Sequence, residues 1–444
     1  MESEYEVVLV GTNLVLSILG AALARAGRKV LCLDDADSYG GEFGTLTLKE
    51  MQDFMARAPL PATCVGAGQF SGSSNAYFPL GPAEYGEASD DASLDLAQYR
   101  TSEFGFDLTS RVVFSRGLAV DVLAESGVAR YLEFQICDGC FFLPNLPGSS
   151  PQPVPHSKNQ VFTSSELSML EKRQLMRFLQ FASDFANNHD AWINDKWGAA
   201  NPGRSLIRPQ NKSSDEDLST LVTDDITLLE FLIQSMRVSS PKLQEIIQYS
   251  VAEGQTGCLS GMRKVSRYLR AMGRFGHTPF LHPTYGISEL CQAFSRMCSV
   301  YGGTCALRTK PISLTMGKGL DLVLENGTTV KATCCIVAQA SYFNPTTNGQ
   351  DEKLFSGWIH HEYDVRMVCI VKQTKLGVGK AFLVIPPSIH AAVNQQHAVF
   401  VIQQDYTTRV VPQGLLMIHL SVQCTITTAA AAQEEGLEIW SSSG

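Results

Sequence analysis

Positive charge is scarce in this chain. Its 444 residues carry 35 Lys and Arg against 44 Asp and Glu, a net charge of −9. A surface of that sign repels phosphate backbones, which excludes a general nucleic-acid binder. Charged residues of both signs make up 18%, while 44% of residues are hydrophobic. That balance excludes a disordered chain and predicts two or three domains with a sizeable core. A disulfide framework is missing. The twelve cysteines are scattered singly or in adjacent pairs, which suits a reducing, cytoplasmic compartment. A membrane-spanning run is also missing. Residues 7–24 come nearest, but Glu2, Glu4 and Glu6 stand where a signal anchor carries basic residues, and Thr12-Asn13 interrupts the run. No GxSxG elbow, HExxH or Walker loop occurs, and the histidines, His360-His361 included, form no metal-ligand pattern.

What is present begins at the first forty-one residues. Tyr5-Glu-Val-Val-Leu-Val10 reads as a buried strand, Gly11-Thr12-Asn13 as a tight turn, residues 14–26 as a helix, and Lys29-Val-Leu-Cys-Leu33 as a second strand closed by Asp34. This is the opening of a dinucleotide fold, with the acidic residue about where a ribose hydroxyl is bound. Yet two of its three glycines are replaced. Asn13 stands where the backbone should approach a pyrophosphate, and Leu16 where the helix should pack closely on the strand. The fold is therefore expected without a flavin or a nicotinamide cofactor.

Residues 66–96 and 196–217 read as surface loops, rich in Gly, Ser, Pro and acidic residues. Residues 117–129 read as a short helix and 132–142 as a hairpin. Thr163-Ser-Ser-Glu166 and Thr227-Leu-Leu-Glu230 read as capping boxes, Ser240-Pro241 as a helix start reaching residue 251, and 261–272 as a further helix. Residues 163–273 are thus expected to be an all-helical insertion. Strands are expected at 312–324, 329–337, 365–373, 397–403 and 414–423.

Cys137-Asp-Gly-Cys140 has redox spacing, but Asp138-Gly139 between two apolar runs predicts a hairpin turn rather than the helix N-terminus that activates a thiol. The helix predicted over 288–301 has an apolar stripe, Leu290, Phe294, Met297 and Cys298. Beside it Glu289, Gln292 and Arg296 fall at i, i+3 and i+7, a polar stripe that is either a solvated face or a recognition surface.

Gly11-Thr12-x-Leu14 with Asp34 and Tyr39-Gly40-Gly41 resembles the opening of Rab GDP-dissociation inhibitors and Rab escort proteins. So does Gly273-Arg-Phe-Gly-His-Thr-Pro-Phe-Leu281, running on through Tyr285-Gly-x-x-Glu289-Leu290-x-Gln292 to Arg296 and Tyr301-Gly-Gly-Thr304. Ser115-Arg-Gly-Leu118, the stretch from Val161 to Arg173 and Ser341-Tyr-Phe343 resemble the escort branch.

The resemblance implies an α/β fold: a flavoprotein-like Rossmann-type domain without flavin, plus an all-helical second domain. The first domain comprises 1–115 with 274–426, joined by a helix and hairpin over 116–162 to the helical domain 163–273. It implies a non-catalytic accessory that binds unprenylated, GDP-bound Rab, presents it to Rab geranylgeranyltransferase and delivers the lipidated product to membranes. The alternatives are a Rab GDP-dissociation inhibitor or, in another class, an FAD-dependent oxidoreductase. The family's Rab-binding positions carry over to Tyr39, Glu289, Gln292, Arg296 and Thr304, while a hydrophobic contact of the family is only Ala306 here. Arg267, Arg270 and Arg274 are the basic candidates for contacting the transferase. The helical domain is expected to hold the geranylgeranyl group of the Rab. Residues 427–444 resemble nothing in the family, which implies a truncated or alternatively spliced form lacking a closing strand.

Overall fold

The computed structural model describes residues 3–57, 96–144, 149–155, 157–188, 221–254, 256–316, 320–338, 362–390, 393–395 and 397–425. Most of loops 66–96 and 196–217, Ser341–Phe343, His360-His361 and the tail 427–444 lie outside them.

The apolar strand Glu4–Val10 sits centrally in a six-stranded sheet. Its order is Thr304–Ala306, Val30–Leu33, Glu4–Val10, Thr329–Ala338, Leu320–Leu324, Pro311–Met316. The first four strands pair in parallel and the last two antiparallel. A strand covered on both faces should be apolar throughout, and this one is nearly so. Val7, Leu9, Val30 and Cys32 pack under helices Leu14–Arg25 and Ser288–Val300. Tyr5, Val8, Val10, Leu31 and Leu33 pack on the opposite face against Leu322, Leu324 and Val330. The expected strand at 312–324 is in fact two strands of an antiparallel pair.

A second six-stranded sheet has the order Glu362–Val371, Leu416–Thr425, Val399–Gln404, Ala381–Ile385, Gly139–Phe142, Gln152–Pro153. Val113–Phe114, Phe280–Pro283 and Phe134–Ile136 form a three-stranded sheet. Here the hairpin expected at 132–142 fails. Phe134–Ile136 pairs with Phe280–Pro283, whereas Gly139–Phe142 pairs in parallel with Ala381–Ile385. The reason is Lys380. Its carbonyl accepts the Asp138 N–H at 2.9 Å, its own N–H donates to Asp138 Oδ2 at 2.9 Å, and its ammonium lies 3.2 Å from that same oxygen. A buried lysine thus recruits the Asp-Gly pair away from turn formation. Cys137 and Cys140 are buried beside it, and neither lies at a helix N-terminus.

Between 157 and 271 the regular elements among the described residues are helical: Lys158–Thr163, Met169–Asn188, Leu228–Gln234, Pro241–Glu245, a π-helical turn Ile246–Val251, and Cys258–Ala271. Thr227 and Glu230 make the expected capping box. The one expected at Thr163 does not form, because Thr163 ends a helix and its hydroxyl donates to the Asn159 carbonyl. Ser168 and Glu171 cap the next helix instead, each accepting the other's backbone N–H. These helices share their core with strands. Phe178, Phe231, Leu243 and Val265 bury with Cys140, Phe142 and Phe280 in one cluster. No helix among the described residues is long and apolar enough to cross a membrane.

Candidate functional site

The dinucleotide-type turn is closed by its own side chains. Gly11 has a φ of +110°, which a residue with a Cβ rarely adopts. Asn13 caps the following helix, its Oδ1 accepting the Leu16 N–H at 3.0 Å while its Nδ2 donates to Glu42 at 3.1 Å. The Thr12 hydroxyl donates to Asp34 Oδ2 at 2.5 Å, and Ala36 N–H donates to the other carboxylate oxygen at 3.0 Å. The groups that would bind a pyrophosphate and a ribose are therefore engaged within the chain. Gly11, Thr12, Leu16, Ser17, Cys32, Ser295 and Cys298 close around a gap that does not admit a water molecule. These residues do not fit a dinucleotide. The close helix–sheet approach expected of a glycine at position 16 is made one turn later by Gly20, where an added Cβ would lie 2.9 Å from Cys32 Sγ and 3.2 Å from Leu9.

Helix Ser288–Val300 buries the predicted stripe Leu290, Phe294, Met297 and Cys298. The polar stripe lies outward: Gln292 and Arg296 are exposed, and Glu289 is half-buried. Burial raises the Glu289 carboxyl above its ordinary pKa. Gln292 Nε2 donates to the Ser288 hydroxyl at 3.2 Å, and the Arg296 guanidinium stacks over Tyr131 at 4.6 Å from the ring centroid. Tyr131 thus holds the arginine in one orientation, a partner that sequence spacing did not reveal.

The start of this helix is fixed by residues far away in sequence. Strands Thr45–Leu46 and Phe106–Asp107 pair antiparallel. Asp107 Oδ1 accepts the Ile287 N–H at 2.9 Å, and Thr45 Oγ1 accepts the Ser288 N–H at 3.1 Å while donating to Asp107 at 2.6 Å. Asp107 is buried, and that burial pushes its carboxyl up to about 6 against the opposing pull of Thr45, the Ile287 N–H and His282. Thr45 and Asp107 hold the start of this helix, which sequence reasoning missed, since nothing local marks them.

Tyr39 lies half-buried beside a cysteine cluster, within electrostatic reach of Cys305, Cys32 and Cys298. Burial, then those sulfurs, raise its phenol above its ordinary pKa. Thr304 sits next to Cys305 on the edge strand, accepting from the Tyr5 hydroxyl at 3.5 Å. Tyr39 and Thr304 thereby adjoin the Cys298 end of the helix that carries Arg296. Ala306 pairs with Leu33 on the same edge strand.

The three basic candidates differ. Arg267 is engaged, 2.5 Å from Glu253 and stacked over Phe114 at 4.5 Å. Arg270 is half-buried near Arg116, and burial first, then Arg116, lowers its pKa. Arg274 is exposed and stands over Phe275 at 5.2 Å. Arg116 joins this patch unpredicted, although it lies in the Ser115–Leu118 stretch that resembled the escort branch.

The family model described as GDP dissociation inhibitor matches residues 1–69, 87–201 and 252–441. The chain belongs to the GDP dissociation inhibitor family. Among curated proteins it is 27% identical over 359 residues to the Rab proteins geranylgeranyltransferase component A of Drosophila melanogaster, covering 80% of this chain and 62% of that protein. It is 34% identical over 218 residues to component A 1 of Homo sapiens, covering 48% of this chain and 28% of that protein. The chain therefore spans less than two thirds of the length of these relatives. Among solved structures, Rab GDI from Plasmodium falciparum matches with a TM-score of 0.66 at 17% identity, over 99% of this chain and 86% of that one. An oxidoreductase from Methanosarcina mazei matches with a TM-score of 0.51 at 11% identity, over 98% and 82%. Both show the mixed α/β fold.

Proposed function

We propose that the chain is a Rab escort protein: a non-catalytic, cytoplasmic accessory that binds the GDP form of an unprenylated Rab and presents it to Rab geranylgeranyltransferase. Delivery of the lipidated Rab would bring only transient membrane contact. The observation that carries the reading is the outward ridge Glu289, Gln292 and Arg296 on a helix anchored at its start by Asp107 and Thr45. Tyr39 and Thr304 extend this platform. The names of the fly and human relatives, transferase component A, agree with it. The self-engaged Asn13 and Asp34 support a chain that works without flavin. We assign lipid capture and transferase contact to the helices between 163 and 273, where Met169 and Leu170 stand exposed.

Arg296→Ala and Tyr39→Ala are each expected to weaken binding of GDP-loaded Rab about thirtyfold, as loss of a central interface residue costs about 2 kcal/mol. Titration calorimetry measures this. Unchanged affinity in both variants, with unchanged melting, would show that the platform lies elsewhere.

Charge reversal at Arg270 and Arg274 should act on a different step. It is expected to leave Rab affinity near its starting value and to lower the yield of geranylgeranylated Rab in a reaction with purified transferase and lipid diphosphate. Mass spectrometry reads the yield. Arg267 is left alone in this test, because its contacts to Glu253 and Phe114 give it a role in holding the fold. A chain that binds Rab yet supports no transfer even with the native arginines would be an inhibitor rather than an escort protein.

A further inference from the structure

Three cysteines that are distant in sequence converge beside the platform. Cys32 comes from strand Val30–Leu33, Cys298 from helix Ser288–Val300 and Cys305 from the edge strand Thr304–Ala306. Their sulfurs all lie within 4.8 Å of one another, with Cys32 and Cys298 at 4.0 Å. Cys32 and Cys298 are buried, and Cys305 is half-exposed. Room for the sulfurs is built in. The bare backbone of Gly20 faces Cys32 and Cys298, where a Cβ would come within 2.9 Å and 3.6 Å of them, and Gly303 also leaves space at Cys298.

From this geometry we propose that Cys32, Cys298 and Cys305 form a thiolate site for a zinc ion. Zinc–sulfur bonds of about 2.3 Å at tetrahedral angles place sulfurs about 3.8 Å apart, so the Cys32–Cys298 pair at 4.0 Å is close to that spacing already and no pair needs to close by more than about 1 Å. Among the described residues no carboxylate or imidazole joins the cluster, and an all-sulfur set selects a soft or borderline metal over calcium or magnesium. The fourth position is left to a water molecule on the half-exposed side of Cys305. A disulfide is the poorer solution. It would need two sulfurs at about 2.0 Å and would leave the third unused.

Two hydroxyls adjoin the sulfurs. Ser17 and Ser295, whose hydroxyls lie 3.4 Å apart, line the gap beside Cys32 and Cys298. Binding releases each proton still held on sulfur, and three thiolates with one Zn²⁺ leave a single negative charge. The ion would tie the edge strand Thr304–Ala306 to the helix and to the sheet interior. This inference stands independently of the proposed Rab-binding role.

The test uses the full chain, purified with a phosphine reductant and freed of metal by a chelator that is then removed. Cobalt(II) is titrated in as a spectroscopic stand-in, then displaced by zinc. The expected result is one equivalent of cobalt with the near-ultraviolet sulfur-to-cobalt charge-transfer band, and a higher melting temperature with zinc. Cys305→Ser, at a half-exposed position that tolerates a hydroxyl, should abolish the band or weaken binding at least about a hundredfold. Cys298→Ala should do the same, while Cys334→Ser, an exposed cysteine outside the cluster, should not. A chain that shows no stoichiometric band overturns the proposal. So does a Cys305→Ser variant that binds as well as the parent, or a loss confined to Cys334→Ser.

Discussion

Alanine at Gly286 is expected to destabilise the protein by about 3 kcal/mol or more. Two penalties add. Gly286 has a φ of +98°, a conformation costly for any residue with a Cβ. That Cβ would also lie 2.5 Å from Thr45 Oγ1 and 2.6 Å from Asp107 Oδ1, the two groups that hold the start of the platform helix. Each penalty is about 1–3 kcal/mol. The crowded atoms are not free to yield, because Thr45 and Asp107 hydrogen-bond each other and the Ile287 and Ser288 N–H groups. Urea unfolding followed by circular dichroism checks the value. Under the proposed function, the same variant should also lose Rab affinity, since Glu289 lies three residues further on. A midpoint equal to that of the parent would mean that the turn is not rigid.

Acid should expose the second large effect, at His419. This residue lies on strand Leu416–Thr425, paired with Val368 and Ile402, and is buried with Nε2 unpartnered. Burial, then the nearby His282 and Arg366, lowers its pKa from 6.5 to about 3. Between those values the unfolded chain binds a proton that the folded chain refuses. His419 therefore contributes stability above pH 6.5 that is lost as pH falls, about 3 kcal/mol between pH 7 and pH 4. Asp107 opposes it, since its carboxyl, raised to about 6, takes up a proton in the folded state first and favours folding as pH falls towards 4. The parent chain is then a difference of two terms, and a variant isolates one. Relative to the parent, His419→Asn should gain about 3 kcal/mol at pH 4 over its value at pH 7, whatever its baseline cost. Denaturant midpoints at both pH values measure this. Parallel curves would show that His419 is not kept neutral.

Local patterns were legible wherever one element settles its own fate. The broken glycine turn, the apolar strand after it, the Thr227 capping box and the two stripes of the 288–300 helix could all be read from spacing. Each depends on side chains within a few residues of one another. Spacing failed where a distant group outbid the local one. Asp138-Gly139 has the chemistry of a hairpin turn, but Lys380 claims it from 242 residues away. Thr163 has a capping-box pattern, but Ser168 with Glu171 satisfies the next helix instead.

The sequence by itself determined an α/β chain of the GDP dissociation inhibitor family, with a dinucleotide-type turn whose second and third glycines are gone. It also marked the ridge of Glu289, Gln292 and Arg296, because helical periodicity puts those three on one face. Only the tertiary structure decided that Asn13 and Thr12 turn inward on the helix and on Asp34, that Asp107 and Thr45 anchor the ridge, and that Cys32, Cys298 and Cys305 meet. The physical reason is the same in each case. Periodicity is carried by a helix or strand alone, whereas the partner of a buried polar or sulfur group is chosen by how separate elements pack.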